Sequence, residues 1–315
     1  MPSPDSFWNK QYAGPRYLFV WLAFAWLRLI VLLPLRWQLA LGRFAGRLTR
    51  RLIPSRRRIV EQNLGACFPE ESAAALEQLG LRHFEALGMS VFEMAMGWYG
   101  SLEAIDKHVR IDGVENLEKA LSLGSGVILY SVHFTSFEIF FPKLAQFCPR
   151  LSGMYKNQRN PLMNKIMTAG RGRSVDYLVP KEGLRDMIRE LSRNAVFWYA
   201  SDQSYGGKSS ALIPFFGVPA MTNTAISRIA RSTGATVLPY FCRRIDTDGP
   251  QYIATIGAPL KDFPTDDAAE DTQRLMHEFE KFIAQCPEQY WWIHQRFKGR
   301  PDKLPDIYAK RSSRE

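Results

Sequence analysis

The chain has few cysteines and sets them far apart. Cys67, Cys148, Cys242 and Cys286 form no C-x-x-C pair, and no two histidines stand in an H-E-x-x-H pattern. Neither a disulfide framework nor a metal site is therefore expected, and the thiols read as reduced and scattered, as in a cytoplasmic compartment. There is no nucleic-acid motif, no G-x-S-x-G elbow, no internal repeat, no low-complexity tract and no clear linker. The most informative absence is of acid. Residues 6–60 hold eleven Lys/Arg and no Asp or Glu. Removing those eleven and Asp5 from the 41 basic and 31 acidic residues leaves thirty of each over 61–315. The net charge of +10 thus sits at the amino end, beside the most apolar segment. That pairing argues for an anionic membrane surface as partner, rather than nucleic acid.

Long apolar runs are also lacking. Residues 17–33 are apolar except for Arg28. Seventeen residues of helix span about 25 Å, against a bilayer core of about 30 Å. The segment is short for a full crossing. Spanning with a snorkelling Arg28 and lying half-inserted both remain open. A cleaved signal peptide does not fit, because no small-x-small site follows and the basic residues come mainly after the run. Pro34 marks a break, and residues 35–53 pattern as an amphipathic helix. Trp37, Leu41, Phe44, Leu48 and Leu52 recur at three and four, while Arg36, Arg43, Arg47 and Arg50 share another face. Such a helix suits the headgroup region, or else packs on the body as an ordinary surface helix. Arg56, Arg57 and Arg58 extend the basic side, and the positive-inside rule then keeps the remainder of the chain in the cytoplasm. The chain divides into an amino-terminal anchor with its basic helix, 1–58, and a body, 59–315.

The body alternates in period. Helical patterns cover 59–66, 70–100, 114–123, 161 onward, 182–192, 223–232 and 265–285. Strand patterns cover 127–132, 151–155, 175–179, 195–200, 235–243 and 251–257, the last two joined by a turn at 246–249. The order predicts an α/β fold: a central mixed, largely parallel sheet flanked by helices, with the amino-terminal membrane helix added.

One strand carries the best candidate chemistry. Residues 127–132 deliver His133 at their end, and Glu138 follows five residues later. If His133 lies in the turn before the next helix, the carboxylate has the position to hold a general base. The same residues also fit a capping box, with Thr135 as cap and Glu138 reaching back to a backbone N–H. Asp202 stands just past the strand 195–200, where α/β sites gather, or forms a turn before Ser204 and Gly206. Arg171 and Arg173, set among glycines, suit a phosphate or a helix C-terminus. Thr222 is placed to cap the helix 223–232, whose N-terminus makes an anion site. Arg296 and its neighbours offer cations near the carboxyl end.

H-x4-E after an apolar strand, S-D-Q-S-Y-G at 201–206, P-F-F-G-V-P-A-M-T at 214–222 and P-E-Q-Y-W-W-I-H-Q-R-F-K at 287–298 occur in that order. Together they resemble the late acyltransferases of lipid A biosynthesis, within the glycerolipid acyltransferase superfamily, over nearly the whole chain. The resemblance implies acyl transfer without a covalent enzyme intermediate, with His133 as general base and Glu138 orienting it. It implies an acyl carrier protein as donor, the acyl group held on phosphopantetheine and no other cofactor. It implies a phosphorylated glucosamine lipid as acceptor, at the cytoplasmic face of a bacterial inner membrane. Arg171 best matches the family's important arginine, with Arg173 as alternative. Asp202, Thr222 and Arg296 join as substrate contacts. Competing readings are an acyltransferase for another glycolipid or a lysophospholipid, a thioester hydrolase using Ser131 or Ser136, and a non-enzymatic membrane adaptor.

Overall fold

Pro34 separates two helices at the amino end of the computed structural model, which describes residues 10–245 and 251–309. Helix α1 (Leu18–Ile30) has thirteen residues, about 20 Å at 1.5 Å per residue. None of the described helices is long and apolar enough to cross a membrane, so of the two readings of residues 17–33 the spanning one finds no helix among them. Helix α2 (Leu35–Leu52) realises the amphipathic pattern with its large apolar side chains turned away from the body. Leu35, Gln38, Leu39, Gly42 and Gly46 are its buried residues. Trp37, Leu41, Phe44, Leu48 and Leu52 point outward and join Leu18, Phe19, Leu22, Trp26, Leu29, Leu32 and Leu33 as exposed apolar side chains.

Helix α3 (Pro54–Cys67) opens on proline at its first position, and the proposed boundary at residue 58 falls inside it. Helix α4 (Ala73–Tyr99) is the long support, started by the Ser72 hydroxyl, which accepts from the Ala75 N–H at 3.2 Å. It packs closely on α2 because both present glycine. A Cβ on Gly88 would lie 2.1 Å from the Gly42 carbonyl oxygen, so the two backbones touch. Phe24 of α1 stacks on Trp98 at 6.2 Å, and Arg28 lies over the Tyr99 ring at 5.6 Å.

Next come α5 (Leu102–His108), β1 (Val109–Asp112), α6 (Val114–Leu121) and β2 (Val127–Ser131). The helix expected after His133 is a 3-10 turn, Phe137–Phe140, continued by α7 (Phe141–Leu144). Thr135 does not cap it: the Thr135 hydroxyl has no partner. Then follow β3 (Leu151–Tyr155), α8 (Pro161–Arg171), β4 (Tyr177–Pro180), α9 (Leu184–Leu191) and β5 (Val196–Ala200). Asn160 caps α8 by accepting from the N–H groups of Leu162 and Met163.

Residues 210–223 form a hairpin of β6 (Ser210–Phe215) and β7 (Val218–Asn223), which the sequence patterns did not indicate. Pro214 and Pro219 mask the strands, and the turn shows in Phe216 and Gly217, both at positive φ. Thr222 therefore sits in a strand. Helix α10 (Ala225–Thr233) begins beyond it, so Thr222 neither caps that helix nor makes an anion site. Strands β8 (Thr236–Arg244) and β9 (Tyr252–Ile256) pair antiparallel, and the expected turn at 246–249 lies outside the described residues. Helix α11 (Ala268–Ile283) follows, capped by Asp267.

The main sheet runs β1-β9-β8-β2-β5-β3-β4, parallel except for the β8–β9 pair. Strand β2 is central, and all five of its residues are buried. This is why its sequence is a continuous apolar run rather than an alternating one. The register aligns Ser131 with Ala200, so the chain leaves β2 and β5 side by side at their carboxyl ends.

Candidate active site

The site forms where those two strands end. Two residues past Ser131 is His133; two residues past Ala200 is Asp202. Continuing the register sets them opposite each other. The Nδ1 of His133 lies 2.6 Å from one Asp202 carboxylate oxygen, and the His133 backbone N–H donates to the other at 3.2 Å. Burial pushes the Asp202 carboxyl up, but the His133 ring, its two hydrogen bonds and the Arg296 charge outweigh that and hold it at about 2. An ionised carboxylate only accepts, so Nδ1 carries the proton and Nε2 of the neutral ring keeps its lone pair. Asp202 is 2% exposed and His133 24%, so the carboxylate is sealed while the ring reaches the surface of the site. Phe137 and Trp198 stack on one another at 5.2 Å, and each meets the His133 ring edge-on at 6.1 Å. The imidazole thus sits against an aromatic wall.

Glu138 does not orient His133, and it does not close a capping box. One carboxylate oxygen takes two bonds from Arg171, through Nε at 2.9 Å and through Nη2. The other accepts from the Trp98 indole N–H at 3.0 Å. No hydrogen bond joins this carboxylate to the imidazole, whose Nδ1 is taken by Asp202. Glu138 holds the Arg171 guanidinium instead, which also lies over the Phe137 ring at 5.8 Å. Arg171 is the last residue of α8, while Arg173 is exposed beyond the helix end. Arg171 therefore belongs to the site, and Nη1 is not used by Glu138.

Thr222 and Arg296, expected as substrate contacts, are structural. Arg296 is 1% exposed. It donates to the Thr222 hydroxyl at 2.7 Å and to the Met221 carbonyl at 3.2 Å, and lies over the Phe215 ring. Buried this deeply, it braces the hairpin behind the Asp202 loop. The loop is held on its other side by His294. Burial lowers His294 to about 4, and its Nε2 accepts the Ser204 N–H at 3.2 Å. Tyr290, Trp98 and His294 are site residues that sequence reasoning did not assign. The Tyr290 phenol is buried, and burial followed by the Asp202 charge keeps it protonated. The backbone of this carboxyl-terminal segment ties down the His133 turn: the Trp291 N–H donates to the His133 carbonyl, and the Thr135 N–H to that of Gln289.

Ser131 and Ser136, the nucleophiles a hydrolase would need, are both fully buried. The Ser131 hydroxyl is spent on the Tyr240 carbonyl at 2.8 Å. Among the described residues, no three His, Cys, Asp or Glu side chains converge as a metal site. What remains is one oriented imidazole with a free acceptor nitrogen, an aromatic wall and one fixed guanidinium.

The family model described as bacterial lipid A biosynthesis acyltransferase matches residues 8–299. The lipid A biosynthesis lauroyltransferase of Escherichia coli K12 is 34% identical over 295 residues, covering 93% of this chain and 96% of that one. The palmitoleoyltransferase of the same organism is 32% identical over 309 residues, covering 97% and 99%. The crystal structure of a 1-acyl-sn-glycerophosphate acyltransferase from Thermotoga maritima covers 75% of this chain and 97% of its own, at 15% identity and TM-score 0.37.

Proposed function

The chain belongs to the bacterial lipid A biosynthesis acyltransferase family, and from that premise we propose that it moves a fatty acyl chain from the phosphopantetheine thioester of an acyl carrier protein to a hydroxyl of a lipid A precursor. His133 is the general base and Asp202 its orienting carboxylate. The acceptor O–H gives its proton to Nε2 as the oxygen attacks the thioester carbonyl. The C–S bond then breaks, and the departing thiolate takes the proton back from the imidazolium. A buried, ionised Asp202 favours this cycle because it stabilises the charge that the ring acquires. Thiolate is a good leaving group, so the chemistry asks for no second nucleophile. Arg171, held by Glu138, presents its remaining N–H groups to an anionic group of the acceptor.

The membrane face is the exposed apolar surface of α1 and α2. Leu32, Phe19 and Leu52 are among its most exposed members, and the α2 arginines flank it. A contiguous surface of this kind, rimmed by cations, fits a helix pair lying at the headgroup–acyl boundary of an anionic inner membrane, with the body on the cytoplasmic side.

The observation that carries the reading is the 2.6 Å His133–Asp202 hydrogen bond, beside a ring nitrogen left free. The test is transfer of radiolabelled acyl chains from acyl carrier protein to a purified lipid A precursor by the wild type and His133→Ala. The reading requires a product that forms only with the acceptor present and that the variant fails to make. Thioester loss at the same rate without acceptor, or full transfer by the variant, overturns it.

A further inference from the structure

A cavity of about 570 Å³ lies between α2, α4 and the end of β8, and none of His133, Asp202, Glu138 and Arg171 lines it. Four arginines line it: Arg36 and Arg43 from α2, Arg82 from α4 and Arg244 at the end of β8. Two carboxylates line it as well, Glu85 and Glu288. Glu85 is already matched by Arg47, which lies outside the lining. Arg244 is held from beneath by Glu93, which accepts its Nε–H at 2.6 Å. Arg36, Arg43 and Arg82 are exposed and have no ion pair among the described residues, so three cations face Glu288 alone. Arg244 adds a donor: its side chain is 10% exposed, and its Nη2 is buried with no partner in the protein. A buried guanidinium N–H without an acceptor is costly. The second carboxylate oxygen of Glu93 is unbonded as well, so the pair beneath is not closed and the Arg244 guanidinium at the cavity wall can still take an anionic oxygen.

The position of the cavity identifies where that anion comes from. Arg36 and Arg43 are seven residues apart, so they stand in one file on α2, with the lipid-facing stripe of Trp37, Leu41, Phe44 and Leu48 on the neighbouring face. Arg36 also lies over the Trp37 ring at 6.0 Å, joining the cation file to the apolar stripe. With α2 lying in the interface, the mouth of the cavity is at headgroup depth. We propose that this cavity is a second, non-catalytic site that binds the phosphate of a membrane lipid headgroup, with Arg36, Arg43 and Arg82 as its outer donors and Arg244 as its inner one. The source of the anion rests on the membrane reading of α2; the phosphate chemistry of the cavity does not.

The same cavity borders the active-site strap. The Gln289 side chain lines it, accepts the Arg244 N–H at 2.7 Å and donates to the Arg244 carbonyl at 2.9 Å. The Gln289 carbonyl in turn accepts the Thr135 N–H at 2.8 Å, two residues past His133. An occupied cavity thus anchors the membrane helix and the segment that ties down the catalytic turn to the same headgroup.

The test uses the full chain and two triple variants of equal charge loss: Arg36→Gln/Arg43→Gln/Arg82→Gln in the cavity, and Arg50→Gln/Arg51→Gln/Arg58→Gln outside it. Partitioning is measured by flotation on phosphatidylcholine vesicles with and without phosphatidylglycerol. General attraction to an anionic surface weakens both triples alike. A built site adds charge-assisted hydrogen bonds, so the cavity triple should lose about tenfold more affinity for phosphatidylglycerol vesicles than the control triple. Inorganic phosphate, compared with chloride at equal ionic strength, separates the sources. Release of the wild type by phosphate beyond chloride means the site also takes the free anion; no such release restricts it to the headgroup. Equal losses in the two triples, with both melting like the wild type, overturn the proposal. So does a cavity triple whose vesicle binding matches the control while its KM for acyl carrier protein rises in detergent, because the cavity would then dock an acidic protein. Acyl transfer in detergent micelles should be unchanged in the cavity triple, which keeps this test apart from that of the reaction itself.

Discussion

Two carboxylates stand near one turn and do different work. Asp202, from the strand beside it, gives both oxygens to His133. Glu138, from the turn itself, gives both oxygens to Arg171 and Trp98. The first carboxylate orients an imidazole; the second fixes a guanidinium. Sequence proximity to a histidine therefore does not select its partner. Sheet register does, because adjacent parallel strands that end in register bring the residues two positions past each end together. The nearer carboxylate, five residues along, is carried into the contact with α8 instead.

The comparison breaks most visibly at the base. His133→Ala should lower kcat by about 10²–10⁴, the usual worth of a positioned proton acceptor. Asp202→Asn should fall in the same range while leaving KM for the acceptor nearly unchanged, since the amide favours the wrong ring tautomer and cannot stabilise the imidazolium. Steady-state transfer assays decide it. An Asp202→Asn enzyme within threefold of wild type, paired with a crippled Glu138→Gln enzyme, would reverse the two roles.

Glu138→Gln comes next. The Glu138–Arg171 pair is nearly buried, with 8% and 15% of the side chains exposed. Removing one charge from such a pair costs about 3–5 kcal/mol, so the variant should melt well below wild type. Gln still accepts the Trp98 N–H, but it no longer holds the guanidinium. The kinetic signature should be a raised KM for the phosphorylated acceptor, with a smaller fall in kcat. Arg171→Gln should reproduce that signature. Arg173→Gln should not, because Arg173 is exposed and outside the cluster. Equal effects from the two arginine variants would remove the distinction between them.

The unequal fates of these residues explain what was legible in the sequence. His133 was, because a run of apolar residues ending in a histidine marks a strand end without any tertiary knowledge. The Asp202 partnership was not, because it depends on β5 lying beside β2, and 69 residues separate the two side chains. Trp98 was hidden in a helix 40 residues before Glu138. The pattern Pro214 to Thr222 concealed a hairpin, since its prolines argue against strands and only Phe216-Gly217 marks the turn. Helix α2 shows the reverse case. Its apolar period was plain, yet the buried face is the one with Gly42 and Gly46, which pack backbone to backbone on α4, and the large apolar side chains face away. Periodicity locates a stripe but does not say whether protein or lipid covers it.

Acid sharpens the contrast between the oriented base and its frame. Burial lowers His294, and His83 of α4, whose Nδ1 lies 3.1 Å from the Glu288 carbonyl oxygen, to about 4, below the ordinary value of 6.5. Unfolding frees both rings to take protons, so stability should fall as pH drops from about 6.5 to about 4, by up to about 1.4 kcal/mol per pH unit for each ring. Asp202 is depressed, so its contribution is complete above its unfolded value of about 4 and is lost only as pH falls towards about 2. The frame should weaken before the Asp202 carboxylate is protonated. Denaturant melts between pH 7 and 4 check this, and His83→Phe should flatten the slope by about one proton. A melt independent of pH down to 4 would mean that the two rings are not held neutral.

The smallest expected effect is the most discriminating. If Asp202 and Glu138 act in separate pairs, the double variant Asp202→Asn/Glu138→Gln should lose the sum of the two single-variant losses in log kcat/KM. Residues with no shared partner add to within about 0.5 kcal/mol, whereas members of one catalytic unit are strongly non-additive. The two carboxylates share no hydrogen bond, but Phe137 touches both groups, meeting the His133 ring edge-on and lying beneath Arg171. A coupling above that limit would therefore have a physical route: Phe137 would pass the displacement of Arg171 to the imidazole. Repeating the cycle in a Phe137→Leu background separates the cases. If the coupling persists without the ring, Glu138 reaches His133 during turnover and the division of labour between the two carboxylates fails; if it vanishes, the aromatic wall carries it and the division stands.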